Sequence, residues 1–238
     1  MNLTAKLILA LVLAFGSGAA QGQTKQAYDV SISGFKVGSL RLNAQENSSS
    51  YAVSGAIQGG GLIGAITSFS FSGTAKGGLN GAGSLIPREY ASVSKSRGKE
   101  RAVTMTYQGD TPASLTHAPT RKKRSYDAAL SDGKGTLDPV SATYALLQDM
   151  PVGQACGRTV QVFDGTKRSR ITVRKRERDG EAWRCKGTYT RIKGWRAKDM
   201  EEKTNFSFAL TFQEVDGMMQ VMSFETQSLF GKVIARRR

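Results

Sequence analysis

The sequence predicts a mostly β protein: a single large, strongly curved antiparallel sheet forming a half-barrel or open barrel, with one main helix. Three observations point there. Short segments of alternating polar and apolar residues recur along the chain, the period-2 pattern of half-buried strands. Asp164-Gly165, Asp179-Gly180 and Asp216-Gly217 punctuate them, each a dipeptide that favours a tight reversal. Glycine is abundant, 27 of 238 residues against a usual level of about 7%, and it is scattered among the strand-like segments. A flat sheet of this width leaves long exposed edges, so curling is the economical solution.

The elements follow in order. Residues 27–33 and 35–43 flank a bend at Gly34. Residues 51–58 form a third strand, and 68–76 alternate with Phe69 and Phe71 on one face. Residues 85–94 and 101–108 are joined by a charged turn over 95–100. Residues 116–134 carry Pro119 and a basic run without period, and read as an exposed loop. A helix follows: Asp138 caps its start, Pro139 fits the first helical position, and the run SATYALLQ ends before Pro151 and Gly153. Strand pattern returns over 158–163, 168–176, 182–192, 205–214, 218–225 and 228–236, giving about twelve strands in all.

Residues 1–20 read as an export signal. Lys6 supplies the positive start, residues 7–15 are unbroken apolar, and Gly16 to Ala20 are small, placing cleavage after Ala20. The run is shorter than the roughly 20 residues a spanning helix needs. Residues 21–238 then form a single periplasmic β domain without a transmembrane span. Nothing Pro/Ser-rich divides them, and the chain is long enough to bury a substantial core. The net charge of +15 suits an anionic envelope component, a lipid headgroup or an acidic envelope protein. Export removes nucleic acid as the natural partner. The same charge also serves solubility.

Three strands allow an argument about register. Arg168, Arg170, Arg174 and Arg176 share one face of the middle strand, and Ile171, Val173 and Lys175 the other. A four-residue turn at Asp164-Gly165 and a three-residue turn at Asp179-Gly180 gather the apolar residues, including Trp183, Cys185 and Tyr189, on one side. Arg184 and Lys186 then join the arginines in an outward positive stripe. Outward positions are polar in any sheet, yet adjacent like charges repel, so an anionic counterpart is expected. The basic run Arg121, Lys122, Lys123 and Arg124 is a second candidate anionic-binding surface. The tail Arg236-Arg237-Arg238 reads as frayed and solvated.

Cys156 and Cys185 are the only cysteines. Outside the cytoplasm an even pair implies one disulfide. In the register above a whole strand separates them, leaving the alpha carbons about 10 Å apart where a bridge needs less than about 7 Å. The bridge therefore requires Cys156 to leave the sheet and fold back, which Gly153 and Gly157 permit.

Signals for catalysis are sparse. His117 is the lone histidine, no GxSxG elbow is present, and the acidic residues are scattered. No metal site and no cofactor is expected. Gly59-Gly60-Gly61 lacks the Lys-Ser/Thr of a phosphate loop. The apolar residues after it, Leu62, Ile63 and Ile66, are candidates either to plug one end of the curled sheet or to cover a hydrophobic cavity. Phe69, Phe71, Met105, Tyr107, Phe206, Phe208 and Phe212 could line such a cavity or form ordinary core.

Several short motifs, in order and spacing, carry a family resemblance. They are Tyr28-Asp29-Val30 with Gly34-Phe35-Lys36-Val37-Gly38, Leu85-Ile86-Pro87-Arg88-Glu89-Tyr90, Asp138-Pro139-Val140-Ser141-Ala142, and Val162-Phe163-Asp164-Gly165. The chain resembles the exported bacterial proteins of domain-of-unknown-function family 3108. The resemblance implies a periplasmic, strand-rich domain and supplies no catalytic residues. The expected function is non-enzymatic: binding an anionic or amphipathic envelope component through the basic strand face and a concave apolar cavity. A structural or assembly protein docking on a protein partner, and an unrecognised hydrolase, are the alternatives.

Overall fold

A computed structural model describes residues 22–60 and 69–238, without the side chains of Lys175, Arg176 and Asp179. The expected export signal, residues 1–20, and the candidate cover Leu62, Ile63 and Ile66 lie outside the described residues.

The chain makes two meanders. The first runs through β1 (Gly22–Ile32), β2 (Phe35–Glu46), β3 (Ser50–Gly59), β4 (Phe69–Leu79), β5 (Leu85–Ser96), β6 (Lys99–Gln108) and β7 (Thr111–Ala118). The chain then crosses through a 3-10 turn (Leu130–Gly133), helix α1 (Pro139–Leu147) and the two-residue β8 (Met150–Pro151). The second meander is β9 (Arg158–Phe163), β10 (Arg168–Asp179), β11 (Ala182–Lys193), β12 (Asn205–Val215), β13 (Met218–Ser228) and β14 (Gly231–Arg237), with helix α2 (Ala197–Glu202) between β11 and β12.

The meanders join where β1 pairs with β14, from Tyr28↔Arg237 to Ile32↔Val233. One antiparallel sheet results, in the order β7-β6-β5-β4-β3-β2-β1-β14-β13-β12-β11-β10-β9, and it does not close. Its edges are managed locally. Leu137 forms a parallel bridge with Val162 on the free side of β9, and its N–H donates to Gln161 O at 2.8 Å. The edge strand β7 carries Pro112, which a central strand would not tolerate.

The alternation read from sequence places the strands well, and two of the fourteen strands among the described residues go beyond it. β7 begins at a Thr-Pro pair and lacks clean alternation, so part of the expected 116–134 loop is strand. β8 is too short to leave a pattern. α2 is six residues of mostly charged sequence with nothing buried.

The concave face holds the core: Leu42, Met105, Phe163, Leu210, Phe212 and Val221 are fully or almost fully buried. Helix α1 lies in this concavity against β3, β4, β5 and β9. Gly73 makes its close seating possible, because a Cβ there would stand 2.8 Å from Val140 Cγ2. Both helix ends are tied down. Asp138 Oδ1 accepts from the Val140 and Ser141 N–H groups, each at 2.9 Å. At the other end Arg158 donates to Ala145 O at 2.6 Å and Leu146 O at 2.8 Å. Gln26 Nε2 donates to Leu147 O at 2.8 Å. These contacts satisfy carbonyls that a helix leaves unpaired.

Candidate functional site

A cavity of about 430 Å³ lies between the sheet and α1. Leu40, Ile57 and Phe71 wall it from the first meander, and Phe206, Phe208 and Phe224 from the second. Val140, Thr143, Leu146 and Leu147 of α1 complete it. Space survives because small residues, Gly55, Ala56 and Ala235, occupy wall positions. Ile57 is 38% exposed, so the cavity reaches the surface near the end of β3.

The lining hydroxyls are already engaged. Tyr28 OH donates to Val221 O at 3.3 Å, Thr143 Oγ1 to Pro139 O at 2.8 Å, and Thr226 Oγ1 to Ser207 O at 2.9 Å. Tyr189 is hydrogen-bonded to Ser169. Burial pushes the Tyr28 hydroxyl up to about 12, and it stays neutral. Such a surface offers little to water and favours an apolar occupant.

Of the apolar residues singled out in the sequence as a cavity lining, Phe71, Phe206 and Phe208 line this space. Met105 and Phe212 are completely buried core, Tyr107 packs against the same core, and Phe69 is exposed. Leu40, Phe224 and the α1 residues were not foreseen. The β1–β14 pairing joins the two meanders, and no local pattern announces that pairing.

The positive face is partly as expected. β9 and β10 are joined by a four-residue turn, with Phe163 opposite Arg168. The β10–β11 turn, however, has two residues, not three, since Asp179 pairs with Ala182. A bulge between Val173 and Arg176 absorbs the difference: two residues of β10, Arg174 and Lys175, face Lys186 alone. The apolar face is thereby preserved with a shorter turn. Beyond the bulge Arg176 takes the register position opposite Cys185, and so leaves the row of Arg170 and Arg174; its side chain lies outside the description.

Arg174, Arg184 and Lys186 border one shallow outer groove together with Lys232 and Glu225. Acidic residues relieve the row. Glu225 accepts from Arg184 at 2.9 Å and Lys232 at 3.0 Å, and Glu177 from Lys186 at 2.8 Å. The two cations hold the Glu225 carboxyl below the usual range, the Arg184 hydrogen bond most of all. Phe208 and Thr226 border both this groove and the apolar cavity.

Other predicted cations lie elsewhere. Arg168 turns aside and donates to Asp132 O at 2.9 Å, and Arg170 is exposed. The run after β7 folds on itself: Arg121 meets Asp127 at 2.8 Å, and Arg124 lies over the Tyr126 ring. Lys122 and Lys123 are exposed. The tail is not frayed. Arg237 grips Asp149 with two hydrogen bonds of 2.7 and 3.1 Å, and Arg238 donates to Asp29.

Cys156 and Cys185 form a disulfide with alpha carbons 5.8 Å apart. Cys156 precedes β9 and folds back between Gly153 and Gly157, both at positive φ. Gly157 N–H donates to Val173 O at 2.9 Å just before the bulge.

His117 lies on β7, where burial first and Arg121 second push its pKa down. The most organised polar cluster surrounds Asp138. Ser141 Oγ donates to Asp138 Oδ2 at 2.5 Å and lies 2.8 Å from Tyr51 OH. Burial pushes the Asp138 carboxyl up to about 6 against the Ser141 hydrogen bond. Both Asp138 and Ser141 are inaccessible, so the cluster seats the helix. Among the described residues no three His, Cys, Asp or Glu gather as a metal site, and no helix is long and apolar enough to cross a membrane.

A family model described as a protein of unknown function, DUF3108, matches residues 27–210. The chain belongs to this family. The match runs from β1 into β12, and includes the Asp138–Ser141 cap and most of the cavity wall. The β13 and β14 residues of that wall, Phe224, Thr226 and Ala235, lie beyond it. No curated protein and no solved structure matches the chain.

Proposed function

We propose that this DUF3108 member is a non-enzymatic, exported protein that holds the apolar part of an amphipathic envelope molecule between its sheet and α1. The observation that carries the reading is the cavity of about 430 Å³ with its hydroxyls internally bonded. Its size falls within the roughly 300–1,000 Å³ of ligand pockets. The cation-bordered groove shares Phe208 and Thr226 with the cavity but lies on the outer face of the same strands, where it offers an anionic group a second, separate contact. The Cys156–Cys185 bridge favours an oxidising compartment, as does the leader-like segment 1–20.

The test is a titration with a fluorescent long-chain fatty acid. Thr143→Phe fills the cavity from α1 without touching the outer groove. It should weaken binding by at least about tenfold, the effect of denying an apolar chain its buried contacts. Native mass spectrometry of protein isolated from the envelope should show a bound amphipathic molecule. Absence of probe binding, or equal binding by the Thr143→Phe variant, removes the cavity from the function.

A further inference from the structure

We infer that the adjacent β1–β2 and β13–β14 turns form a tip that docks on the surface of an anionic lipid bilayer. This goes beyond the cavity reading and does not depend on it.

The first observation is a turn with the wrong chemistry for solvent. Ser228 pairs with Gly231, so Leu229 and Phe230 are the two central residues of a tight hairpin. They are 100% and 80% exposed. Elsewhere in this sheet the two-residue turns are Ser33-Gly34, Arg97-Gly98, Gly109-Asp110, Gly180-Glu181 and Asp216-Gly217. Each is polar or carries glycine, as turn geometry prefers. Leu229-Phe230 breaks that rule and displays two large apolar side chains.

The second observation is that this display is built and extended. Ser33 N–H donates to Lys232 O at 2.9 Å and Ser33 Oγ to Phe230 O at 3.2 Å, locking the two turns together. Phe230 N–H donates back to Ser228 Oγ at 3.1 Å. Phe35, which opens β2, is 69% exposed on the neighbouring turn. Three large apolar residues thus project from one braced tip.

The third observation is charge. Lys36 and Lys232 flank the two turns, paired with Asp29 and Glu225, and the next turn but one along the sheet edge carries exposed Arg97, Lys99 and Arg101, with Glu100 held by Lys95. Apolar side chains ringed by cations match an anionic membrane surface: the former enter the headgroup–acyl boundary while the latter meet phosphates. A second copy of the chain would set these cations against one another. Three projecting side chains also fall short of the roughly 800 Å² per partner of a stable protein interface.

The experiment uses vesicles of phosphatidylglycerol and phosphatidylethanolamine, with phosphatidylcholine vesicles as the neutral control. The protein should bind the anionic vesicles, and less at high salt. Leu229→Ser with Phe230→Ser should weaken binding by at least about tenfold, and Leu229→Trp should show blue-shifted emission on the vesicles. Both residues are surface turns, so circular dichroism should confirm an unaltered fold. Unchanged vesicle binding by the double variant, binding lost only on charge reversal of Arg170 and Arg174, or no binding at all overturns the proposal. So does a self-associated form that the double variant disperses without any vesicle binding. Fatty-acid titration of the double variant separates the two readings, since neither residue lines the cavity and that affinity should stay unchanged.

Discussion

Asp138 shows how one buried carboxyl organises its surroundings. It caps α1 through two backbone N–H groups and holds Ser141, which in turn meets Tyr51 on β3. The Asp-x-x-Ser-Ala pattern was legible as a helix start; its link to Tyr51 was not, since Ser141 and Tyr51 stand 90 positions apart. Burial raises the Asp138 pKa from 3.8 to about 6. The fold therefore prefers the protonated carboxyl. The stability this contributes is complete below about pH 4 and is lost as pH rises through about 6. Its size is on the order of 2–3 kcal/mol. Asp138→Asn cannot ionise and should lack this component. Denaturant midpoints at pH 4.5 and 7.5 should show the wild type losing stability relative to the variant, and parallel profiles would contradict the assignment.

Helix α1 depends on the sheet allowing it near. Gly73 in β4 and Gly55 in β3 lie under Val140. Gly73→Ala would place a methyl 2.8 Å from Val140 Cγ2 and 3.2 Å from Ala91 O. Overpacking of this kind costs about 1–3 kcal/mol. A lowered midpoint together with weaker fatty-acid binding is expected, because α1 forms one side of the cavity. The sequence announced α1 and nearly all strands, because Pro139, the capping Asp138 and the alternation are local signals. It could not size the β10–β11 turn, since a bulge at Arg174 and Lys175 compensates several residues away. Nor could it mark β7 as strand, where Pro112 and polar neighbours imitate a loop.

At the scale of the molecule, the disulfide clasps the crossover segment to the second meander. The bridge joins cysteines 29 positions apart, and closing such a loop contributes on the order of 3–4 kcal/mol in the chain-entropy model. Replacing both cysteines by serine should lower the urea midpoint accordingly; an equal midpoint would mean the clasp adds nothing. The cavity is a property of the same scale. Phe71 and Phe206 read as apolar strand residues in any window, and whether they meet or leave space between them is decided by the joining of two meanders. That is why the aromatic candidates were recognisable and their division into wall and core was not.

The pairing of β1 with β14 also imposes a schedule on assembly. A polypeptide delivered from its amino end presents β1 early, yet the strand that completes its hydrogen bonding is the last to arrive. Asp149, beside the helix terminus, likewise waits for Arg237. Closure of the wall is thus a late, long-range event of the kind that slows folding, and until then the unmated border of β1 is open to pairing with another molecule.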